Sequence, residues 1–522
     1  MCALRVLFIT LEFSSGTFSG NGIYAQSQVR ALAGLGHQVF VISARPHAHG
    51  TEPGSTQGAV RVVEVPVSSW GRLCAAAPYA EFATGGASPE VATAVAAFAP
   101  DVAMGVDWSS LPLYRALAQQ LAQQQAAVPP LVYLNYRVFS RTAQGPELEL
   151  VSRLEREAMQ EAVLTVALSR SDSQYLSELL ASAGTGEGTG AIGGCGGEGA
   201  AEGAAGVAAR HQAPAVLLPA LREDMRTAGT TSETSRGDAG SDGGGGGGGG
   251  GGRCDGGGGG GSGGCGAGGG DGGGSVGGDC SAEAGGGAAA AAAAAAQSFA
   301  SSRPYLACCV RLSPEKEPHR FVELVEALAA LPGGLDGVTP LLVAGTADDQ
   351  YARLLKARLR AAAPSSVVLE SFLGPQQLAE LYGKTRLNVH PATYDAFGMT
   401  IIEAASQGAP SLVHDGNGAV GATDLLSTAA GEVLLAHLTD PPAALAARVL
   451  ALLDDPKALL RVAAAAAAKA RSWGEGANAG ALIALVRGAL RRAAEAAGIG
   501  WLGGPRLSEG QGMFPCNKDF YF

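Results

Sequence analysis

Between residues 5 and 180, short runs of Val, Ile and Leu alternate with longer stretches of helix-forming residues. Arg5–Thr10, Gln38–Ser43, Val60–Val65, Val102–Gly105, Leu131–Leu134 and Leu164–Ala167 predict strands. Ile23–Leu35, Pro89–Phe98, Leu111–Gln125, Glu147–Glu161 and Ser173–Leu180 predict the helices between them. Continuous apolar strands separated by helices imply a parallel sheet covered on both faces, because a strand buried on both sides has no polar face. One further strand, Ala215–Leu218, ends at Pro219.

The alternation resumes after residue 300. Tyr305–Val310, Leu341–Val343, Val367–Leu369, Leu387–His390 and Ser411–Val413 predict strands. Arg320–Ala330, Ala352–Ala362, Gln376–Tyr382 and Met399–Ser406 predict helices, and Pro441–Ala497 reads as helical and alanine-rich. The expected architecture is α/β, with two doubly wound Rossmann-like domains. Residues 1–182, with a last strand near 213–220, form the first. Residues 301–475 form the second, and 476–522 a C-terminal helix and tail.

Between them, residues 183–300 are mostly Gly and Ala; Ser241–Cys280 holds 27 glycines in 40 positions. Such a stretch has few apolar side chains to offset its ordering entropy, so it is expected to be a largely disordered, low-complexity insert. It also distorts the whole-chain charge of −11, since residues 184–300 hold 12 acids against 5 Lys/Arg and leave the remainder at −4. A nearly neutral body without a Lys/Arg stripe argues against nucleic-acid binding. The nine cysteines form no CxxC pair, which supports neither a zinc site nor a redox motif. No run of 18 apolar residues predicts a membrane span. The chain opens directly on the Val6-Leu7-Phe8-Ile9 run with no leader pattern ahead of it, so a cytoplasmic location is expected.

Candidate chemistry lies after strand ends, where open α/β sheets bind ligands. Gly20-Asn21-Gly22 brackets a helix start after the first strand. Orphan N–H groups and the helix dipole suit an anion there, and glycine lets it approach the main chain. GxGxxG spacing is absent, which disfavours a dinucleotide fold and leaves a plain tight turn as the other reading. Arg311 and Lys316 follow the first strand of the second domain. A guanidinium fork beside a compact ammonium suits a diphosphate, although two surface charges in a loop would look the same. Asp395 precedes the helix Met399–Ser406, and Glu403 lies within it. Carboxylates accept hydrogen bonds from vicinal diols, so the pair suits a sugar and a ribose. The Gly-rich turn Gly416–Gly421 follows the next strand at the same sheet end and can donate backbone N–H groups.

The motifs Arg311…Lys316, Asp395-Ala-Phe-Gly-Met-Thr-Ile-Ile-Glu403-Ala and Gly408-Ala-Pro make the second domain resemble the nucleotide-sugar-binding domain of family 4 retaining glycosyltransferases. This is the large GT-B group that includes sucrose- and glycogen-synthase relatives. Arg471-Ser472-Trp473 matches the family's Ser-Trp, Gly20-Asn21-Gly22 takes the place of its Gly-Gly loop, and Asp107-Trp108-Ser109 is similar to its Asp-Trp. The resemblance implies two Rossmann-like domains facing a cleft and transfer of a sugar from a nucleotide-diphosphate donor to an unidentified acceptor, with retention. Arg311 and Lys316 would hold the diphosphate, Asp395 the donor sugar and Glu403 the ribose. Backbone amides around Gly20, Asn21 and Gly22, and around Phe397, Gly398, Met399 and Thr400, would face phosphates or sugar. Asp107, Tyr136 and Arg137 would line the acceptor side or the cleft. No cofactor is implied, the nucleotide sugar being a substrate. Nor is a metal, and the sequence contains no Asp-x-Asp triplet.

Three positions depart from the family pattern. Asp395 stands where Glu is usual, Asn135-Tyr136-Arg137 where a sugar-facing His often occurs, and the Gly416–Gly421 turn lacks the Glu frequently found just after it. A GT-B epimerase or phosphorylase, and a degenerate sugar-nucleotide-binding or scaffold protein, are the alternative readings. The insert is expected to be dispensable: deleting Gly243–Ala296 should leave the melting temperature nearly unchanged.

Overall fold

The computed structural model describes residues 3–13, 20–46, 56–68, 76–182, 212–228 and 284–498. Residues 14–19 of the first Gly-containing loop, residues 183–211 and 229–283 of the Gly/Ala-rich insert, and the tail from 499 lie outside the described residues.

The first sheet comprises β1 (Arg5–Thr10), β2 (Gln38–Pro46), β3 (Thr56–Gln57), β4 (Val60–Val67), β5 (Val102–Val106), β6 (Leu131–Asn135), β7 (Leu164–Ala167) and β8 (Ala215–Val216). Its order is β3-β4-β2-β1-β5-β6-β7-β8, parallel except for the short β3–β4 pair. The second comprises β9 (Tyr305–Cys309), β10 (Thr339–Val343), β11 (Val367–Leu369), β12 (Thr385–Val389), β13 (Ser411–His414) and β14 (Leu434–Ala436), parallel throughout in the order β11-β10-β9-β12-β13-β14. Val6, Leu7, Phe8 and Ile9 of β1 are fully buried, as an unbroken apolar strand between two helix layers requires. In both sheets the winding reverses beside the first strand, between β1 and β5 and between β9 and β12. Chain leaving the carboxyl ends of these four strands diverges to opposite faces and leaves a crevice at each reversal.

Helices flank both sheets, and several differ from the pattern-based expectation. The first begins at Gly20, not Ile23, so Gly20-Asn21-Gly22 is its opening turn (helix Gly20–Gly34). The stretch Pro441–Ala497 divides into helices Pro442–Leu453, Pro456–Ser472 and Glu475–Ala496. Asp455 makes the first break: its carboxylate caps the Ala458 N–H at 2.9 Å and Pro456 takes the first helical position. Helix Ala76–Gly86 and strand β14 were not evident from the pattern; β14 has only three residues.

The insert is smaller than its composition suggests. Residues 223–228 are helical, and a nineteen-residue helix runs over Ala284–Ser302. Alanine has the highest intrinsic helix propensity, so a poly-Ala run can fold where poly-Gly cannot. This helix is also anchored: Ala296 and Phe299 are buried, and it packs on helix Pro456–Ser472.

The chain crosses between domains twice, and the crossings pair with each other. Leu221 donates its N–H to the Trp473 carbonyl at 3.0 Å, and the Trp473 indole donates to the Leu218 carbonyl at 2.9 Å. Helix Glu475–Ala496 then lies against the first domain, packing Leu482, Ile483 and Val486 into the cluster of Tyr24, Val29 and Leu32. Arg30 pairs with Glu475 at 2.8 Å at its start. The domains also touch at Gly421, where an added Cβ would lie 2.1 Å from the Ala396 carbonyl oxygen and 2.9 Å from the Ser169 Cβ of the first domain. Among the described residues no helix is long and apolar enough to cross a membrane.

Two stability outcomes follow from this packing. Deletion through Ala296 removes most of an anchored helix, so the deletion expected from composition to be silent is expected to lower the melting temperature in differential scanning fluorimetry. Gly421→Ala forces main chain apart and is expected to cost about 1–3 kcal/mol, read as a lower midpoint in denaturant unfolding.

Candidate active site at the interdomain cleft

The carboxyl ends of β1, β5, β9 and β12 open onto one cavity of about 680 Å³ with walls from both domains. Its first-domain wall includes Glu12, Gly20, Asn21, Asp107, Tyr136 and Arg137; its second-domain wall includes Arg311, Lys316, His390 and Asp395 with the chain Phe397–Thr400.

Asp395 is the electrostatic centre of the second-domain wall. Burial would raise its pKa, but the Lys316 ammonium at 2.7 Å and His390 together hold it well below the usual carboxylate range. His390 Nε2 lies 3.2 Å from the same carboxylate oxygen, without the alignment of a hydrogen bond. Asp395 is held in place by its main chain, which donates to the Ala419 carbonyl and accepts from the Gly421 N–H at 3.0 Å. The turn Gly416–Gly421 therefore braces this loop. Lys316 projects from a 3-10 turn, Pro314–Lys316, that follows β9. Arg311 is half exposed and 3.3 Å from Glu315, so its guanidinium meets solvent at the cleft mouth.

Gly398 has φ +91°, a left-handed conformation, and caps helix Met399–Ser406. An added Cβ there would also meet Ile401 at 2.7 Å. Glycine thus sets the turn that aims the first N–H groups of this helix into the cavity, a site suited to an anion.

On the opposite wall, Asp107 follows β5 at φ +54°, unusual for a residue with a side chain. One carboxylate oxygen accepts the Tyr136 and Arg137 N–H groups at 2.8 and 3.1 Å, and the other accepts the Asn21 amide at 2.9 Å. Burial outweighs these hydrogen bonds and pushes its pKa up to about 8. Beside it Tyr79, Trp108 and Phe139 form an aromatic wall, with Tyr79 and Trp108 centroids 4.6 Å apart and the Arg137 guanidinium 5.1 Å from the Phe139 centroid.

Most sequence-predicted residues gather at this cavity: Arg311, Lys316, Asp395, Gly20, Asn21, Asp107, Tyr136, Arg137, Phe397, Gly398, Met399 and Thr400 all line it. Two do not. Gly22 is buried in the first helical turn, outside the cavity lining. Glu403 is buried behind the wall, 3.3 Å from Arg222, and is not part of the lining. Tyr136 lines the cavity, but its hydroxyl turns away, donating to Gln28 at 2.6 Å, and its ring packs on Tyr24. Pattern reasoning missed His390, Tyr394, Tyr79 and Arg222. His390 had a signal, as the polar residue directly after a strand that leads into the Asp395 loop. Tyr79 and Arg222 lie in segments without periodicity.

Asp107 also sets a pH dependence. A carboxyl whose folded pKa is raised from 3.8 to about 8 binds its proton more tightly in the folded state. Its contribution to stability is present below the lower value and lost as pH rises towards 8. Asp107→Asn keeps two acceptor contacts and tolerates the left-handed backbone, so its melting temperature is expected to decline less between pH 5 and 8 than that of the wild type.

Comparison with known proteins agrees with this geometry. Residues 292–471 match the family of glycosyl transferases group 1, and residues 19–185 match the glycosyl transferase 4-like domain. No curated protein matches the chain in sequence. Among solved structures, sucrose-phosphate synthase from Thermosynechococcus elongatus is similar, with TM-score 0.59 and 14% identity over 95% of this chain and 100% of that one. So is the α,α-trehalose 6-phosphate synthase of Burkholderia multivorans, with TM-score 0.59 and 13% identity over 94% and 100%. Anabaena HepE, solved with UDP and glucose, has TM-score 0.55 and 15% identity over 93% and 100%. At such identities these structures establish the shared GT-B fold. With both halves of its cleft matched to glycosyl transferase domains, the chain belongs to the family 4-like glycosyltransferases of GT-B fold.

Proposed function

We propose that the protein transfers a sugar from a nucleotide-diphosphate donor to an acceptor with retention of anomeric configuration. The observation that carries this reading is the convergence on one interdomain cavity of Lys316, Arg311, the N-terminus of helix Met399–Ser406 and the ionised Asp395.

In this reading Arg311 and Lys316 grip the diphosphate and neutralise the charge that develops as the bond from the sugar's anomeric carbon to phosphate oxygen breaks. Asp395, ionised and partly exposed at the cavity wall, accepts hydrogen bonds from donor-sugar hydroxyls. Backbone N–H groups at Gly398–Thr400 and the Gly20–Asn21 turn supply further donors. The acceptor hydroxyl attacks from the face the leaving group vacates, and its proton passes to a diphosphate oxygen. No second carboxylate is then needed at hydrolase spacing. Glu403 stands behind this wall, so the ribose role implied by the family pattern requires the side chain to leave its present burial. The acceptor lies against the first-domain wall, where Tyr79 and Phe139 offer apolar faces and Arg137 a cation. Solved structures of the same fold hold UDP and glucose in one case and UDP-2-fluoro glucose in another, which makes a UDP-sugar the first donor to try.

The degenerate-scaffold reading gains nothing from the structure, because the substituted Asp395 keeps its ion pair with Lys316. Lys316→Ala and Arg311→Ala are each expected to lower nucleotide diphosphate release in the presence of acceptor by about 10²–10³-fold. The melting temperature is expected to hold in Arg311→Ala, whose side chain is half exposed, and to fall in Lys316→Ala, which leaves the Asp395 carboxylate without its cation. Full rates in both variants would remove the diphosphate assignment.

A further inference from the structure

Tyr394 precedes Asp395 on the cavity loop but serves the other domain. Its hydroxyl donates to Asp172 Oδ1 of the first domain at 3.0 Å. The Arg141 guanidinium lies 4.3 Å from the Tyr394 ring centroid and donates to the same Asp172 oxygen at 2.8 Å. The three side chains close a triangle across the cleft, with Tyr175 flanking Arg141 at 5.4 Å. Asp172 is fixed at the start of helix Arg170–Ala181, where its N–H is capped by Ser169 at 3.1 Å. Its side chain is 1% exposed, and Oδ2 has no hydrogen-bond partner. A carboxylate buried this deeply at a domain boundary is costly unless paired, and the partners here come from both domains. Burial pushes its pKa up to about 6 despite Arg141 and Tyr394.

The main chain at Asp395 bridges to Val420, so successive side chains of this extended segment project to opposite sides. Asp395 meets Lys316, and Tyr394 reaches Asp172. The segment carrying the proposed sugar ligand is therefore tied to its own domain by main chain and to the facing domain by one phenol.

We infer that Tyr394, acting through Asp172 and Arg141, is a positioning residue that sets Asp395 against the donor sugar only when the domains are apposed. This rests on the transferase reading for what Asp395 contacts, whereas the contact across the cleft stands by itself. Tyr394→Phe removes the hydroxyl and keeps the ring on Arg141. The prediction is a split: affinity for UDP, which the cations hold, stays within about twofold, while affinity for UDP-glucose falls about tenfold, a loss of about 1.4 kcal/mol. Titration calorimetry with both ligands reads this directly. Hydrogen exchange of the full chain supplies the arm that needs no ligand. Amides of residues 392–399 are expected to exchange about tenfold faster in Tyr394→Phe, with those of β12 unchanged. Asp172→Ala, or Arg141→Lys should that variant not fold, is expected to give the same acceleration and to add nothing to Tyr394→Phe. Unchanged loop exchange in Tyr394→Phe, or additive effects in the double variant, would overturn the inference. So would equal losses for UDP and UDP-glucose. A wild type that binds neither ligand would count against the transferase reading, and hydrogen exchange would still decide the contact across the cleft.

Discussion

An ionised carboxylate enclosed by protein requires a cation at contact distance, and at Asp395 that cation is Lys316. Much else in the cleft is arranged around this pair. The 3-10 turn after β9 delivers the ammonium, the loop after β12 delivers the carboxylate, and the Gly416–Gly421 turn holds that loop by main-chain bonds. Both side chains arrive from strands that flank the reversal of the sheet, where diverging connections leave room for a ligand. In the transferase reading proposed above, a donor diphosphate entering this space would meet a lysine whose charge is already committed. On that reading, binding would share or redirect the Lys316 contact, with sugar nucleotide and Asp395 competing for one ammonium.

The parallel strands were legible because they are unbroken apolar runs. β1 and β7 fall where the residues place them, since a strand buried on both faces tolerates little else. Element ends were less legible. Gly20 begins a helix that the apolar periodicity starts three residues later, because the first turn of a helix is not yet obliged to bury a face. Composition misleads at Ala284–Ser302: low complexity does not imply low order there, because alanine keeps the propensity that glycine lacks, and Phe299 supplies an anchor.

The site shows the same division. Residues that follow strand ends, such as Arg311, Lys316 and Asp395, could be placed from sequence, because the sheet dictates where those ends lie. Glu403 could not, because a helix position eight residues beyond Asp395 does not reveal which face is turned inward. Arg222, its partner, comes from a segment that carries no pattern at all. Contacts between domains were likewise invisible: nothing in the order of residues links Tyr394 with Asp172, 222 positions away.

The two passages of chain between the domains run side by side, Leu221 bonded to Trp473 and paired with Gly474. Adjacent strands of backbone act as a single pivot, so one lobe can swing on the other while the contacts at the axis persist. Because Trp473 is anchored to Leu218 beside this axis, the swing leaves the rear of the molecule closed and concentrates its displacement at the far lip. Opening would therefore resemble a book turning on its spine rather than two halves sliding apart.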